Sequence, residues 1–99
     1  MALTSKQRAH LKALAHDKKP VVLLGQKGIT DSVVKEIHAA LLAHELIKVR
    51  LTAEEKLELD EEAAQLEEKT GAALISRLGK VATLYKRHPD EPRIALPRR

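Results

Sequence analysis

Two glycines separated by two residues, Gly25 and Gly28, are the feature of this sequence best suited to binding chemistry. They lie in the stretch VVLLGQKGITDSVVKEI, between a short apolar run and a helix-start signal. Glycine lets a backbone approach a ligand closely, and the unpaired N–H groups at a helix start attract anions such as phosphate. Lys27 adds a positive charge, and Gln26 leaves the loop singly charged. The pattern predicts a phosphate-binding loop, and the alternative is a tight turn that needs glycine for positive φ.

The other residue types give little support for catalysis or metal binding. The five histidines show no metal-ligand spacing, and the chain has no cysteine. The glutamates between positions 54 and 68 form a contiguous stripe, which is typical of a solvated helix face, whereas catalytic carboxylates need burial or a specific partner. The glycine pattern also differs from the dinucleotide and nucleoside-triphosphate motifs. We therefore predict a non-enzymatic protein with no catalytic residue, no metal and no cofactor.

The charges are arranged in three blocks. Residues 1–50 carry a net charge of +5, residues 51–70 carry −6, and residues 71–99 carry +5. A molecule with a basic side and an acidic side follows, and a basic face most often meets nucleic acid or another anionic surface. Because the chain has no Phe, no Trp and a single tyrosine, Tyr85, it cannot build a platform for stacking bases. This composition favours structured RNA, bound through backbone charge and shape.

The remaining candidates for an RNA-contacting surface share a positive charge, and the alternative for each is exposure for solubility alone. They are Lys6, Arg8, Lys12, Lys18, Lys19, Lys35, Lys48, Arg50, Arg77, Lys80, Lys86 and Arg87. A second hypothesis is a protein-interaction adaptor, whose working surface would be the acidic stripe and whose partner would be a basic protein such as a ribosomal protein.

Three helices are predicted to position these residues. Thr4 and Gln7 have the spacing of a capping box, which predicts a helix over about 5–15 with Leu3, Leu11 and Leu14 toward the core. Thr30 or Asp31 can cap a second helix that reaches about residue 43. A third helix over about 53–69 ends at Gly71, a left-handed cap.

Four strands are predicted between and after the helices. VVLL reads as a buried strand, and LIKVRL alternates, with Lys48 and Arg50 on the face opposite to its apolar residues. AALISRL and VATLYKR follow, joined by a tight turn at Gly79 and Lys80. Residues 88–99 form a basic, proline-containing tail in which Ile94 and Leu96 can attach to the body.

The element order α-β-α-β-α-β-β predicts one α/β (α+β) domain over residues 1–99. Strand–helix–strand units imply parallel pairing with right-handed crossovers. If the strands are neighbours in chain order, both crossover helices lie on one face of the sheet, and Lys48 and Arg50 point to the barer face. The first residues show no apolar signal core, and no stretch approaches the roughly 20 apolar residues of a membrane span. We therefore expect a cytoplasmic protein without a membrane partner.

Several segments together resemble one known family. LTSKQRAHLKALAHDKKPVVLLGQKGIT, HELIKVRL, EKTGA and LGKVATLYKR…IALPRR resemble, in that order, the YhbY-like family of small bacterial CRM-domain proteins, where CRM stands for chloroplast RNA splicing and ribosome maturation. The resemblance covers nearly the whole chain. It implies an RNA-binding domain with a four-stranded mixed sheet and three helices, similar to the C-terminal domain of bacterial translation initiation factor three.

The resemblance also implies a function. It indicates a role in large ribosomal subunit assembly, with ribosomal RNA of the subunit precursors as the partner. We also expect a monomer. In this family the loop that matches Gly25-Gln26-Lys27-Gly28 is the proposed RNA contact, analogous to the G-x-x-G loop of KH domains in its phosphate chemistry but not in its topology.

Overall fold

The computed structural model describes residues 2–98 and contains three helices and one four-stranded sheet, in the predicted order. The helices are α1 (Ser5–Ala15), α2 (Asp31–His44) and α3 (Lys56–Thr70), and the strands are β1 (Pro20–Leu23), β2 (Leu46–Arg50), β3 (Ala73–Leu78) and β4 (Val81–Tyr85). None of the helices among the described residues is long and apolar enough to cross a membrane.

The sheet is mixed, as predicted, but its strand order differs from the chain order. The order is β1-β2-β4-β3, with β1 and β2 parallel and β4 antiparallel to both of its neighbours. The expectation that strands would be neighbours in chain order is therefore wrong for β2 and β3. The burial pattern explains the difference: most side chains of β4 are buried, as suits a central strand, whereas those of β3 are only partly buried, as suits an edge.

The sheet separates two hydrophobic clusters. The larger cluster lies under α2 and α3, where Ile37, Leu41 and Leu66 pack against Val49 and Leu84. The smaller cluster lies on the other face, where Leu11 and Ala15 of α1 pack against Leu46 and Tyr85. Both crossover helices thus share one face, as expected, and α1 covers part of the other.

The predicted capping residues are largely confirmed. Thr4 and Gln7 form both hydrogen bonds of a capping box, Gly71 has φ 73° and ψ 5°, and the turn between β3 and β4 has Gly79 at φ 57°. Helix α3 starts at Lys56, later than predicted, because the Glu62 carboxylate accepts from the backbone N–H groups of residues 52 and 53 at 2.9 and 3.2 Å. Those two amides are thereby held outside the helix.

The prediction that VVLL is a buried strand holds for only one of its faces. Val22 and Leu24 belong to the larger cluster, but Val21 and Leu23 are exposed, because β1 is an edge strand and α1 does not reach this part of the sheet. Leu14, predicted to face the core, is exposed as well. Leu3 does pack against the smaller cluster, as predicted.

A buried carboxylate fixes the C-terminal segment to the body. Glu45, between α2 and β2, is fully buried and has a positive φ of 62°. Its side chain accepts from the backbone N–H groups of His88, Arg93 and Ile94 at 2.8, 2.7 and 2.9 Å. Burial by itself raises the pKa of this carboxyl, but the three backbone donors outweigh burial and hold the pKa below its usual value of 4.5. Ile94 and Leu96 pack on the smaller cluster, as predicted.

Candidate nucleic-acid interface

The glycine loop is an open turn at the end of β1. The backbone N–H of Gly28 donates to the carbonyl oxygen of Gly25 at 2.9 Å, which closes a four-residue turn. Gln26 and Lys27 at its tip are exposed. Within residues 2–98 no hydrogen bond engages the backbone N–H of Gln26 or Lys27. The turn therefore presents two amide donors and one ammonium group to an anion from outside.

The two glycines have different reasons to be glycine. Gly28 has φ +71°, a backbone conformation that side chains with a Cβ rarely adopt. Gly25 has no such φ, and a Cβ added there would meet nothing within 4 Å. The tight-turn interpretation therefore accounts for Gly28 but not for Gly25, where the missing side chain leaves the backbone open to approach.

The start of α2 is less available to an anion than its sequence suggests. Ile29 and Thr30 separate the glycine turn from the helix. The Thr30 hydroxyl oxygen already accepts from the backbone N–H of Val33 at 3.2 Å, and Asp31 places a carboxylate in the first turn. Because this end of the helix carries its own acceptors, the groups suited to phosphate are those of the turn.

At one end of the sheet, where β1 and β2 finish, the turn lies close to other basic residues. The backbone N–H of Leu24 donates to the Arg50 carbonyl oxygen at 2.9 Å, and that of Leu51 donates to the Lys80 carbonyl oxygen at 2.7 Å. The same end of the sheet therefore carries the glycine turn, the end of β2 and the β3–β4 turn. Arg50 is exposed there, on the face that α1 occupies further along the sheet.

The uncovered half of that face adds further lysines, as the alternation of β2 predicts. Lys48 projects from it, and its ammonium group donates to the His16 carbonyl oxygen at the end of α1, at 3.3 Å. Lys12, Lys18 and Lys19 are exposed beside it, and together the four lysines line a shallow cavity of about 310 Å³. Gly25 follows Lys19 by six positions, so the basic surface extends for roughly 20 Å along β1.

Three other predicted basic residues form hydrogen bonds or ion pairs with groups of the protein itself. Arg77 donates to the Asp60 carboxylate at 2.6 Å and to the Gly79 carbonyl oxygen at 2.8 Å, and Arg8 donates to the Leu74 carbonyl oxygen at 2.8 Å. Lys80 pairs with Glu54 at 2.8 Å, and its hydrogen bond and charge hold the pKa of this exposed carboxyl below its usual value.

The last four predicted residues are exposed and belong neither to the turn nor to the cavity. Lys86 and Arg87 follow β4 at the opposite end of the sheet, where the Lys86 ammonium donates to the Thr70 carbonyl oxygen at 3.3 Å. Lys6 is exposed in the first turn of α1, and Lys35 is exposed in the second turn of α2.

The acidic stripe is partly internal. Besides Asp60 and Glu54, Glu62 holds the segment before α3, and the Glu67 carboxylate accepts from the backbone N–H of Leu74 at 2.6 Å. Glu55, Glu58, Glu61 and Glu68 remain exposed. In the part of the chain that the structure describes, no group of three or more His, Asp and Glu side chains could hold a metal ion.

Sequence reasoning missed two exposed leucines on the open face. Leu78, the last residue of β3, is 84% exposed, and Leu23 of β1 is 63% exposed. The apolar run VVLL looks the same whether one face or both faces of a strand are covered, so no local signal distinguished Leu23 from a core residue. Tyr85, in contrast, is buried under α1 and is unavailable for stacking; burial and the charge of Glu45 raise the pKa of its hydroxyl.

Comparison with known proteins assigns the family. The model of the CRS1/YhbY (CRM) domain matches residues 3–86. The chain belongs to this family. It is 41% identical to an RNA-binding protein of Haemophilus influenzae over 98% of this chain and 97% of the relative. It is 37% identical to a protein of Pseudomonas aeruginosa named probable RNA-binding protein, over 90% of this chain and 86% of the relative.

A solved structure supports the same assignment. The solution structure of a Staphylococcus aureus protein described as a candidate RNA-binding protein matches with a TM-score of 0.84 and 32% sequence identity. The match covers 97% of this chain and all of that chain. The sheet and the three helices of the CRM-domain protein described above are therefore shared by a relative across its full length.

Proposed function

We propose that this CRM-domain protein is a non-catalytic, monomeric RNA-binding protein that contacts structured RNA through the Gly25–Gly28 turn and the basic surface beside it. The observation that carries the proposal is the turn itself, where Gln26 and Lys27 are exposed and their backbone N–H groups have no acceptor in residues 2–98. Relatives similar over nearly the whole chain are named RNA-binding proteins, which supports RNA as the ligand.

The arrangement is suited to a sugar-phosphate backbone. Backbone N–H groups and lysines are the donors that proteins commonly direct at phosphate oxygens, and such contacts fix position without reading sequence. The turn would hold one phosphate, and Arg50, Lys48 and the lysines before β1 would neutralise others along the strand. The RNA we propose is ribosomal RNA in precursors of the large subunit, with the protein acting in assembly of that subunit.

Salt dependence of binding tests the turn. Affinity for a structured RNA hairpin should fall log-linearly with salt, with a slope of about −0.7 to −0.9 per neutralised phosphate. We expect Lys27→Ala to weaken binding and to flatten the slope by about one unit. Lys69→Ala is the matched control, because Lys69 is an exposed lysine in the last turn of α3. An unchanged slope in Lys27→Ala would contradict the proposed role of the turn.

The adaptor hypothesis predicts a different pattern. A protein that works through α3 should keep its partner in Lys27→Ala and lose it when Glu58 and Glu61 are reversed to lysine; Glu62 is left intact because it holds the segment before the helix.

The RNA itself can be identified by crosslinking the protein in cells and sequencing the attached RNA. Recovery of large-subunit precursor RNA is expected, and recovery of unrelated RNA would contradict the assembly role.

A further inference from the structure

A row of four side chains crosses the uncovered half of the sheet. Strand pairing places Leu23 beside Arg50, Arg50 beside Val81, and Val81 beside Leu78. Paired residues of neighbouring strands project from the same face, so the row is about 14 Å long. Leu23, Arg50 and Leu78 are exposed and Val81 is partly buried. The face therefore presents aliphatic surface to water with one arginine inside the row.

A second row lies between the first and helix α1. Lys48 pairs with Thr83, and Thr83 pairs with Ser76. The cavity of about 310 Å³ has these residues, together with Val81 and Leu78, as its floor, and the end of α1 and the following segment as its wall. Among the described residues that line it there is no Asp or Glu, whereas four are lysines. A floor that is aliphatic at Val81 and Leu78 thus shares one concave surface with a group of lysines.

This combination restricts the occupant. A free phosphate would use the lysines but leave the aliphatic floor in water, and an apolar peptide would use the floor but leave four ammonium groups without anions. A nucleotide has both a flat base with little charge and a phosphate on each side of its sugar. The volume is at the lower end of the range of ligand pockets and suits one nucleotide.

The cavity also connects to the glycine turn. The row that forms part of its floor ends at Leu23, two residues before Gly25, so one RNA strand can occupy both places. The described lining contains no Phe, Tyr or Trp, and its one imidazole, His16, lies at the end of α1, so contact of a base with the sheet would be aliphatic and would recognise its shape more than its identity.

We propose that this cavity receives one unpaired nucleotide of a structured RNA, with the base over Val81 and Leu78 and its flanking phosphates on the surrounding lysines. The inference rests on the proposed RNA binding and adds that the preferred RNA is a paired element interrupted by an unpaired nucleotide. It also gives Leu78, which contributes no charge, a direct contact with the ligand.

Two RNA hairpins test the proposal, one fully paired and one identical except for a single bulged uridine. We expect the protein to bind the bulged hairpin about fivefold more tightly, and Leu78→Ser to abolish this preference while leaving affinity for the paired hairpin unchanged. Leu57→Ser is the matched control, because Leu57 is 71% exposed on α3. With thiouridine at the bulge, photocrosslinking should attach the RNA within residues 76–83.

The outcomes separate the two proposals. If the protein binds neither hairpin, the proposed function fails. If Lys27→Ala weakens both hairpins equally but the protein shows no preference for the bulge, or if Leu78→Ser retains that preference, only the nucleotide site is overturned. A crosslink outside the residues that line the cavity also overturns it, as does binding of an acidic apolar peptide to this face that Leu78→Ser abolishes while RNA binding persists unchanged.

Discussion

Two regions of this molecule place backbone N–H groups in opposite relations to negative charge. At the Glu45 corner, which we define as Glu45 with the backbone N–H groups of His88, Arg93 and Ile94, three donors converge on one buried carboxylate. At the Gly25–Gly28 turn, the residues Gln26 and Lys27 are exposed, and their backbone N–H groups have no acceptor in the described chain.

The difference teaches how one kind of donor can stabilise the fold at one end of the sheet and stay available to a ligand at the other. The Glu45 corner lies where β2 begins, and the glycine turn lies beside the point where β2 ends. At the first of these ends the C-terminal segment is attached to the body, because its backbone N–H groups donate to the carboxylate of Glu45. At the second end no group of the described chain accepts from the N–H groups of Gln26 and Lys27, so these are available to an anion from another molecule.

The largest expected effect comes from removing the internal anion. Glu45→Gln keeps the shape of the side chain but replaces one acceptor oxygen with an NH₂ group and removes the charge that three donors surround. We expect the free energy of unfolding to fall by about 3 kcal/mol, because hydrogen bonds to buried charged groups are strong and unsatisfied donors are costly. Urea denaturation measures the loss, and hydrogen exchange at residues 88, 93 and 94 should accelerate.

Glu58→Gln is the control for this variant, since Glu58 is exposed on α3 and its substitution should change stability little. If Glu45→Gln is as stable as Glu58→Gln, the corner does not hold the tail as described.

Acid pH should reproduce part of that loss in the unmodified protein. The pKa of Glu45 in the folded state lies below its usual value of 4.5, so ionised Glu45 contributes stability above that pH. The contribution is lost as the pH falls through the folded-state pKa. We therefore expect the stability gap between the wild type and Glu45→Gln to be constant near neutral pH and to shrink below about 4.5. Urea denaturation over a pH series measures it, and a gap that widens on acidification would contradict the assignment.

The open turn should tolerate change better than the corner, with Gly28 as its sensitive position. Gly28→Ala forces a Cβ into a left-handed backbone conformation, although no neighbouring atom lies within 4 Å of that Cβ. We expect a loss of about 1 kcal/mol in the free energy of unfolding, from backbone strain alone. Thermal or urea denaturation measures it, with Gly25→Ala as the control, and equal losses in the two variants would contradict the distinction between the glycines.

The two regions also differ in how far the sequence predicts them. The glycine turn, the capping box at Thr4 and the left-handed cap at Gly71 depend on residues within a few positions of one another, so their patterns predicted them. Glu45 had no such signal, because the N–H groups that it binds lie 43 to 49 positions away. The insertion of β4 between β2 and β3 is likewise a matter of long-range pairing, and the exposure of Leu23 depends on what covers the strand.

The smallest effect on stability, and the most direct test of an outward role for the turn, is expected from Gly25→Ala. The backbone of Gly25 has no strained φ and its Cβ would point into open space, so the fold should be unchanged. A methyl group there would nevertheless stand between the turn and a phosphate chain. We expect RNA affinity to fall about threefold with an unaltered unfolding curve, since closeness of approach is what glycine permits. Anisotropy titration of an RNA hairpin measures it. Full affinity in Gly25→Ala, together with weakened binding in Lys27→Ala, would mean that the Lys27 charge binds RNA without help from the backbone N–H groups of the turn. Those N–H groups would then not bind an anion as the ones at the Glu45 corner do.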